Sequence, residues 1–188
     1  MRKLLVRDVM VPLEEYATIH EDSLLVEAIH VLERFQKEIA SSHYVHRAIL
    51  VYDDDNKIIG KISQLDVIRS LEPKYENFGI RSTSLSGLSP EFIKAMVFDH
   101  DLCQADLDSI GSRIADKQVK EIMYEPTEGE KIEENATFGQ AVHQFIIGHH
   151  QSLLVTKGHD VVGVLRLADM FNLVCGKIKE KSAKKEGG

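Results

Sequence analysis

Apolar positions follow two periods along this chain, and the periods alternate in the same order twice. Tyr16, Ala17, Thr18 and Ile19 read as a short strand. Behind them Leu25, Ala28, Ile29, Leu32 and Phe35 fall at helical spacing, with Asp22 and Ser23 as cap candidates. Residues 48–52 and 57–62 are rich in branched apolar side chains, and the turn-forming Asp53-Asp54-Asp55-Asn56 between them predicts a hairpin. A second helix is expected over residues 64–71, stopping before Pro73. The order then returns. Thr137-Phe138-Gly139-Gln140 is a capping box, and Phe138, Ala141, Val142, Phe145 and Ile146 form the apolar face of the helix it opens. Residues 152–155 and 161–165 pair across Lys157-Gly158-His159, and a last helix spans 167–175 with Gly176 as its stop.

The return is also literal. Val6-Arg7-Asp8-Val9-Met10 matches Val119-Lys120-Glu121-Ile122-Met123, and the same offset links Ile19 to Ile132 and Ala28 to Ala141. A shorter offset links Gly60 to Gly163 and Asp66 to Asp169. The fold class expected is α+β: two β-α-β-β-α units, residues 1–72 and 117–178, packed sheet to sheet with pseudo-two-fold symmetry. Residues 73–116 have no counterpart. Ser89-Pro90 opens one helix there, with Phe92, Ile93, Met96 and Val97, and Leu107, Ile110 and Ile114 mark a second. This stretch is read as a helical insertion packed on the flank of the core or on a second subunit. Residues 179–188 are read as a flexible basic tail.

Each unit ends in an apolar strand, a sharp passage and the first turn of a helix. In the first, Ser63 falls at the N-cap and Asp66 three residues later. Amide N–H groups and the helix dipole suit such a place to a phosphate, and the carboxylate beside it can accept two hydrogen bonds from a vicinal ribose diol. Ser-x-x-Asp is equally a capping box that asks only for helix stability.

Composition narrows the classes. The 188 residues carry a formal charge of −7, which opposes general nucleic-acid binding. No apolar stretch approaches the roughly 20 residues that span a bilayer, so no membrane contact is expected, and the N-terminus has no signal-peptide pattern. The two cysteines, Cys103 and Cys175, are read as free thiols in a reducing cytoplasm. There is no Gly-x-Ser-x-Gly elbow, Walker loop or His-Glu-x-x-His, and the chain is read as non-catalytic. Nine histidines are many for an acidic chain. His43 and His46 precede the first hairpin and His149-His150 the second, which leaves divalent-metal sensing open.

The Val-x-x-x-Met openings, the Glu27-Ala28 and Gln140-Ala141 steps, the apolar hairpins and the Gly-x-h-x-x-x-Asp endings (h apolar) together resemble the cystathionine-β-synthase (CBS) domain. The chain looks like one tandem pair, a Bateman module. The resemblance implies regulation through adenosyl ligands (AMP, ADP, ATP or S-adenosylmethionine) bound in two clefts between the units, and a homodimer. It requires no cofactor. By that resemblance Asp66 holds the ribose hydroxyls, Ser63 positions the phosphate, Thr18 and Ile19 grip the base, and Ala48 and Ile49 line the same cleft. His46 falls where the family often has a basic residue near the ligand. In the second unit Lys131, Ile132 and Asp169 take the corresponding places, but Arg166 stands where Ser or Thr is expected. Arg166 can neutralise a phosphate with its forked donor, or be a surface arginine. The reading is thus an adenine-nucleotide sensor serving an unidentified regulated protein. A ligand-free dimerisation module and a metal sensor are the alternatives.

Overall fold

The alternation of buried and solvent-facing residues along the strands sorts the chain into two sheets, each with its own helical cover. The computed structural model describes residues 3–39, 48–71 and 116–186, together with Gly111 and Ile114. One sheet runs β2 (Thr18–His20), β3 (Ala48–Tyr52), β4 (Ile58–Ser63), with β2 and β3 parallel and β3 and β4 antiparallel. The other runs β1 (Val11–Pro12), β7 (Asp160–Arg166), β6 (Ser152–Lys157), β5 (Lys131–Glu133), repeating that pattern with one strand added. Helices α1 (Leu25–Ile39) and α2 (Gln64–Ser70) follow the strands of the first sheet, and α3 (Phe138–Gly148) and α4 (Leu167–Glu186) those of the second. The α+β class and the doubled β-α-β-β-α order are as the periodicity predicts.

Three apolar clusters follow from the strand alternation. Ile19, Ile49, Val51 and Ile62 face Leu25, Ala28 and Leu32 of α1, and Ile132, Leu153, Val155 and Leu165 face Ala141 and Phe145 of α3. The opposite faces meet each other, with Tyr16, Leu50, Leu154 and Val164 buried between the sheets. Each fully buried aliphatic side chain contributes about 1.5–3 kcal/mol, so these layers dominate the folding energy.

The turn Asp53-Asp54-Asp55-Asn56 closes the first hairpin as expected. Asp53 Oδ1 accepts the Asp55 and Lys57 N–H groups at 3.0 and 2.9 Å, and Asn56 takes φ 59°. Thr137 and Gln140 form the expected capping box.

Three local expectations are corrected. The first strand of the first sheet begins at Thr18 and not at Tyr16. Neither Asp22 nor Ser23 caps α1: the Leu24 N–H donates to Glu27 Oε2, and the Asp22 carboxylate takes the Lys120 ammonium at 2.6 Å. The last helix does not stop at Gly176. Helix α4 runs on to Glu186, carrying the Lys177–Glu180 ion pair at 2.8 Å. One glycine costs only about 1 kcal/mol in a helix, and the Lys, Glu and Ala residues after it favour continuation. Within the insertion the described residues are Gly111, Ile114 and Asp116. The first two are helical, and Ile114 is buried against the first core.

The main departure from the sequence reading is an exchange of segments. The opening turn Val6–Asp8 does not pack on the first sheet. Its N–H groups donate to Ala136 and Glu134, Leu4 accepts from Phe138, and Val6 is buried in the second cluster. Reciprocally, Val119 and Lys120 donate to Ser23 and Glu21, Lys117 accepts from Leu25, and Val119 is buried in the first cluster. The exchange extends into the sheets: Val11 pairs with Val164 of β7, and Tyr124 with Lys61 of β4. It also explains why each unit carries a glycine in the middle of its last strand. A Cβ on Gly163 would lie 2.5 Å from the Val11 carbonyl and 3.0 Å from Met10 Sδ, and one on Gly60 would lie 2.6 Å from Met123 Sδ. The Val-x-x-x-Met opening of each unit crosses the glycine of the other, so the two motifs are the two sides of one contact.

Candidate functional site

Strand register brings the first unit's predicted residues to one end of its sheet. Ala48 lies directly opposite Ser63, and Thr18 opposite Leu50, which in turn faces Lys61. Thr18 is exposed and Ala48 half-buried, whereas the side chains of Ile19 and Ile49 are committed to the first core. Those two can offer a ligand only their backbone. His46 lies outside the described residues.

Ser63 is an extended N-cap at φ −114° and ψ 169°. Its N–H and Oγ–H donate to Asp66 Oδ2 at 2.8 and 2.5 Å, while the Asp66 N–H donates back to Oγ at 3.3 Å. Asp66 is buried at 8% exposure, and its other oxygen faces Arg69 Nη1 at 3.7 Å. The capping box is therefore real. It leaves Oδ1 as the acceptor not engaged by Ser63.

Groups from the second half meet this end, and the sequence reading did not single them out. Lys61 and Ser63 are on the same face of β4, opposite to the buried Ile62. Lys61 Nζ reaches Glu130 Oε2 at 2.5 Å and stands 5.0 Å above the Tyr124 ring, and the Tyr124 hydroxyl donates to Glu130 Oε1 at 2.5 Å. Glu130 is 5% exposed. Burial alone would raise its pKa, but the hydrogen bonds from Lys61 and Tyr124 outweigh it and hold the carboxyl below the usual range. Burial pushes the Tyr124 phenol to about 12, helped by the bond to Glu130 and by the charges of Glu130 and Asp66, with Arg69 opposing.

The second unit is built differently. Ser152 faces Arg166 as Ala48 faces Ser63, so the register is conserved while the chemistry is not. Arg166 is not a surface residue but is paired within its own unit. Its Nε and Nη2 fork onto the two oxygens of Asp169 at 2.6 and 2.8 Å, with both side chains nearly buried. The pair borders a hollow of about 480 Å³ shared with Asp8, Val11, Lys177 and Glu180. Tyr16 stands near it, its phenol pushed to about 12 chiefly by burial, with Arg166 opposing and Asp169 adding. Ile132 is buried in the second core, and Lys131 is paired with Glu128 at 2.6 Å.

The histidine segments do not form a metal centre among the described residues. The His150 ring packs against Gly148, where any Cβ would strike it, and His149 caps α3 at φ 51°. The groups close enough to share an ion are instead His20, Asp22 and Asp54. There His20 Nδ1 accepts the Asp22 N–H at 3.2 Å, so Nε2 carries the proton toward Asp54 at 3.1 Å, and Lys120 occupies Asp22. A ring with its lone pair used in this way is a poor ligand.

Comparison with known proteins agrees with this architecture. The CBS domain family model matches residues 6–73. The fold is shared with a CBS domain-containing protein from Kribbella flavida (TM-score 0.54, 13% identity, 92% of this chain and 98% of that one). It is shared as well with CBSX2, solved in complex with AMP (0.58, 15%, 94% and 98%), and with a putative acetoin utilization protein from Vibrio cholerae (0.60, 14%, 97% and 98%). No curated protein sequence matches the chain. Among the described residues no helix is long and apolar enough to cross a membrane. Residues 6–73 thus match the CBS domain model, and the chain as a whole shares the fold of CBS domain-containing proteins.

Proposed function

We propose that this protein is a cytoplasmic, non-catalytic regulatory module that binds an adenine nucleotide or S-adenosylmethionine in the cleft at Ser63 and Asp66. One observation carries the reading: a buried carboxylate, Asp66, has one oxygen not engaged by Ser63, and its charge reaches Tyr124 of the second half. Its neighbours Thr18 and Ala48 provide a partly open strand end for the base. That CBSX2 shares the fold and binds AMP supports the ligand class. The ligand would act by joining the two halves and favouring one arrangement of them.

The module works as a homodimer and acts on a partner protein. Leu65 and Ile68 on α2 and Phe171 and Ile178 on α4 are each more than half exposed, an apolar surface that a second copy would cover. The same surface supports the rival reading, a dimerisation module that needs no ligand.

Thermal denaturation with AMP, ADP, ATP and S-adenosylmethionine separates the two. A true ligand at 100 times its dissociation constant adds about 2.7 kcal/mol of stability. Asp66→Ala is expected to abolish that gain. Retention of the full gain by Asp66→Ala would remove Asp66 from the site, and no gain with any of the four would favour the ligand-free reading.

A further inference from the structure

The layer between the sheets is apolar except at one end. Leu50, Leu154, Val164 and Tyr16 fill it, and Lys61 is paired across the sheet with Leu50. Repeat offsets place Val164 opposite in role to Lys61, Ala17 to Glu130 and Val11 to Tyr124. The Lys61–Glu130–Tyr124 cluster therefore exists at one end of the pseudo-symmetric pair and has apolar residues in its place at the other. Lys61 is the cation nearest along β4 to the Ser63 turn, and it already spends its charge on Glu130. Arg69 likewise faces Asp66. The charged groups that meet around Tyr124 are thus two cations and two carboxylates, with no surplus positive charge.

We infer that Glu130, which no motif marks, sets the charge of the ligand the first cleft accepts: by holding Lys61 it excludes polyphosphates and favours an adenosyl compound with little negative charge. This rests on the nucleotide reading above and names the ligand class within it. A triphosphate entering the cleft must take Lys61 from a carboxylate that is 7% exposed, leaving that carboxylate buried without its cation. A nucleoside or S-adenosylmethionine asks for no such exchange. Tyr124 reinforces the selection, because its hydroxyl is given to Glu130 and its ring lies under Lys61.

Titration calorimetry at low salt with adenosine, AMP and ATP tests this on the wild-type chain, Glu130→Gln and Lys61→Gln. The wild type is expected to bind ATP no more tightly than adenosine. Glu130→Gln keeps the shape and frees one positive charge, and should shift the ATP-to-adenosine affinity ratio toward ATP by about tenfold. Lys61→Gln should shift it the other way. Since either variant could weaken the fold, each is first checked by its melting profile, and the two opposite shifts provide independent readings. Adenosine binding with the same ratio in all three proteins overturns the role of Glu130 while leaving the nucleotide reading intact. Failure of all three probes, and of S-adenosylmethionine titrated beside them, to bind the wild type overturns both.

Discussion

The two ends of the layer between the sheets share a backbone plan and differ in nearly every side chain that faces inward. At one, Lys61, Glu130 and Tyr124 form a buried charged contact next to the Ser63–Asp66 cap. At the other, Val164 and Val11 pack with Tyr16, and Asp169 is locked by the Arg166 fork. Duplication preserved register, the crossing over glycine and the terminal aspartate. It did not preserve the job of the aspartate. In the first half Asp66 keeps one oxygen free of its own cap, whereas in the second both oxygens of Asp169 are consumed by its neighbour. Equivalent positions in a repeat thus need not be equivalent sites.

The largest test of this contrast is removal of the buried carboxylate. Glu130→Ala leaves Lys61 desolvated without its partner and should cost about 3–5 kcal/mol, while Ala17→Ser at the corresponding apolar place should cost far less. Chemical denaturation of the two variants measures the difference. A cost below 1 kcal/mol for Glu130→Ala would show that the contact is solvated. Arg166→Ser strips the nearly buried Asp169 of its cation and leaves only a Ser63 type of cap, and should cost about 3–5 kcal/mol. Its informative readout is stoichiometry, which should rise from one ligand per chain toward two if the fork closes the second cleft.

Alkaline titration comes next. The Tyr16 phenol is raised to about 12, so between about pH 10 and 12 the unfolded chain loses a proton that the folded chain keeps. Stability from this group is complete below pH 10 and falls as pH rises through that window, by about 2–3 kcal/mol in all. Tyrosinate absorbance should further separate the two phenols: Glu130→Gln is expected to lower the Tyr124 value and leave that of Tyr16 in place. For Glu130 the sign is opposite, since its folded pKa is depressed: its contribution is present above the ordinary carboxylate pKa and is lost on acidification.

A smaller effect separates the two glycine crossings. Gly163→Ala meets a main-chain carbonyl and should cost about 1–3 kcal/mol, whereas Gly60→Ala meets chiefly the end of the flexible Met123 side chain and should cost less.

Much of this molecule could be read before any coordinates. The doubled order, the Asp53–Asn56 turn, the Thr137 box and the Ser63 cap all follow from local chemistry spaced within a few residues. What could not be read is long-range. Val6 and Val119 look like the first residues of their own units, and nothing local says that each packs in the other's core. Glu130, Tyr124 and Lys61 are ordinary residues in separate segments, and only the segment exchange brings them together. One signal was available: Lys61 and Ser63 interrupt an apolar strand on a single face, which marks that face as having a polar partner. Gly176 misled in the reverse direction, because a glycine is a stop only where a left-handed residue is needed. The predicted ligand positions differ in exposure for a related reason. A pattern fixes the backbone place of Ile19 or Ile132, but which way the side chain turns depends on the sheet that forms around it.

The exchange of segments has a consequence for how the chain is made. Val11 cannot find Val164 until the roughly 150 residues between them have left the ribosome, so β1 waits for β7 before it is paired. During that interval β7's future neighbour is an unsatisfied edge on the nascent chain, open to the wrong strand. The sheet of the second unit is therefore completed by a handshake between strands far apart in sequence.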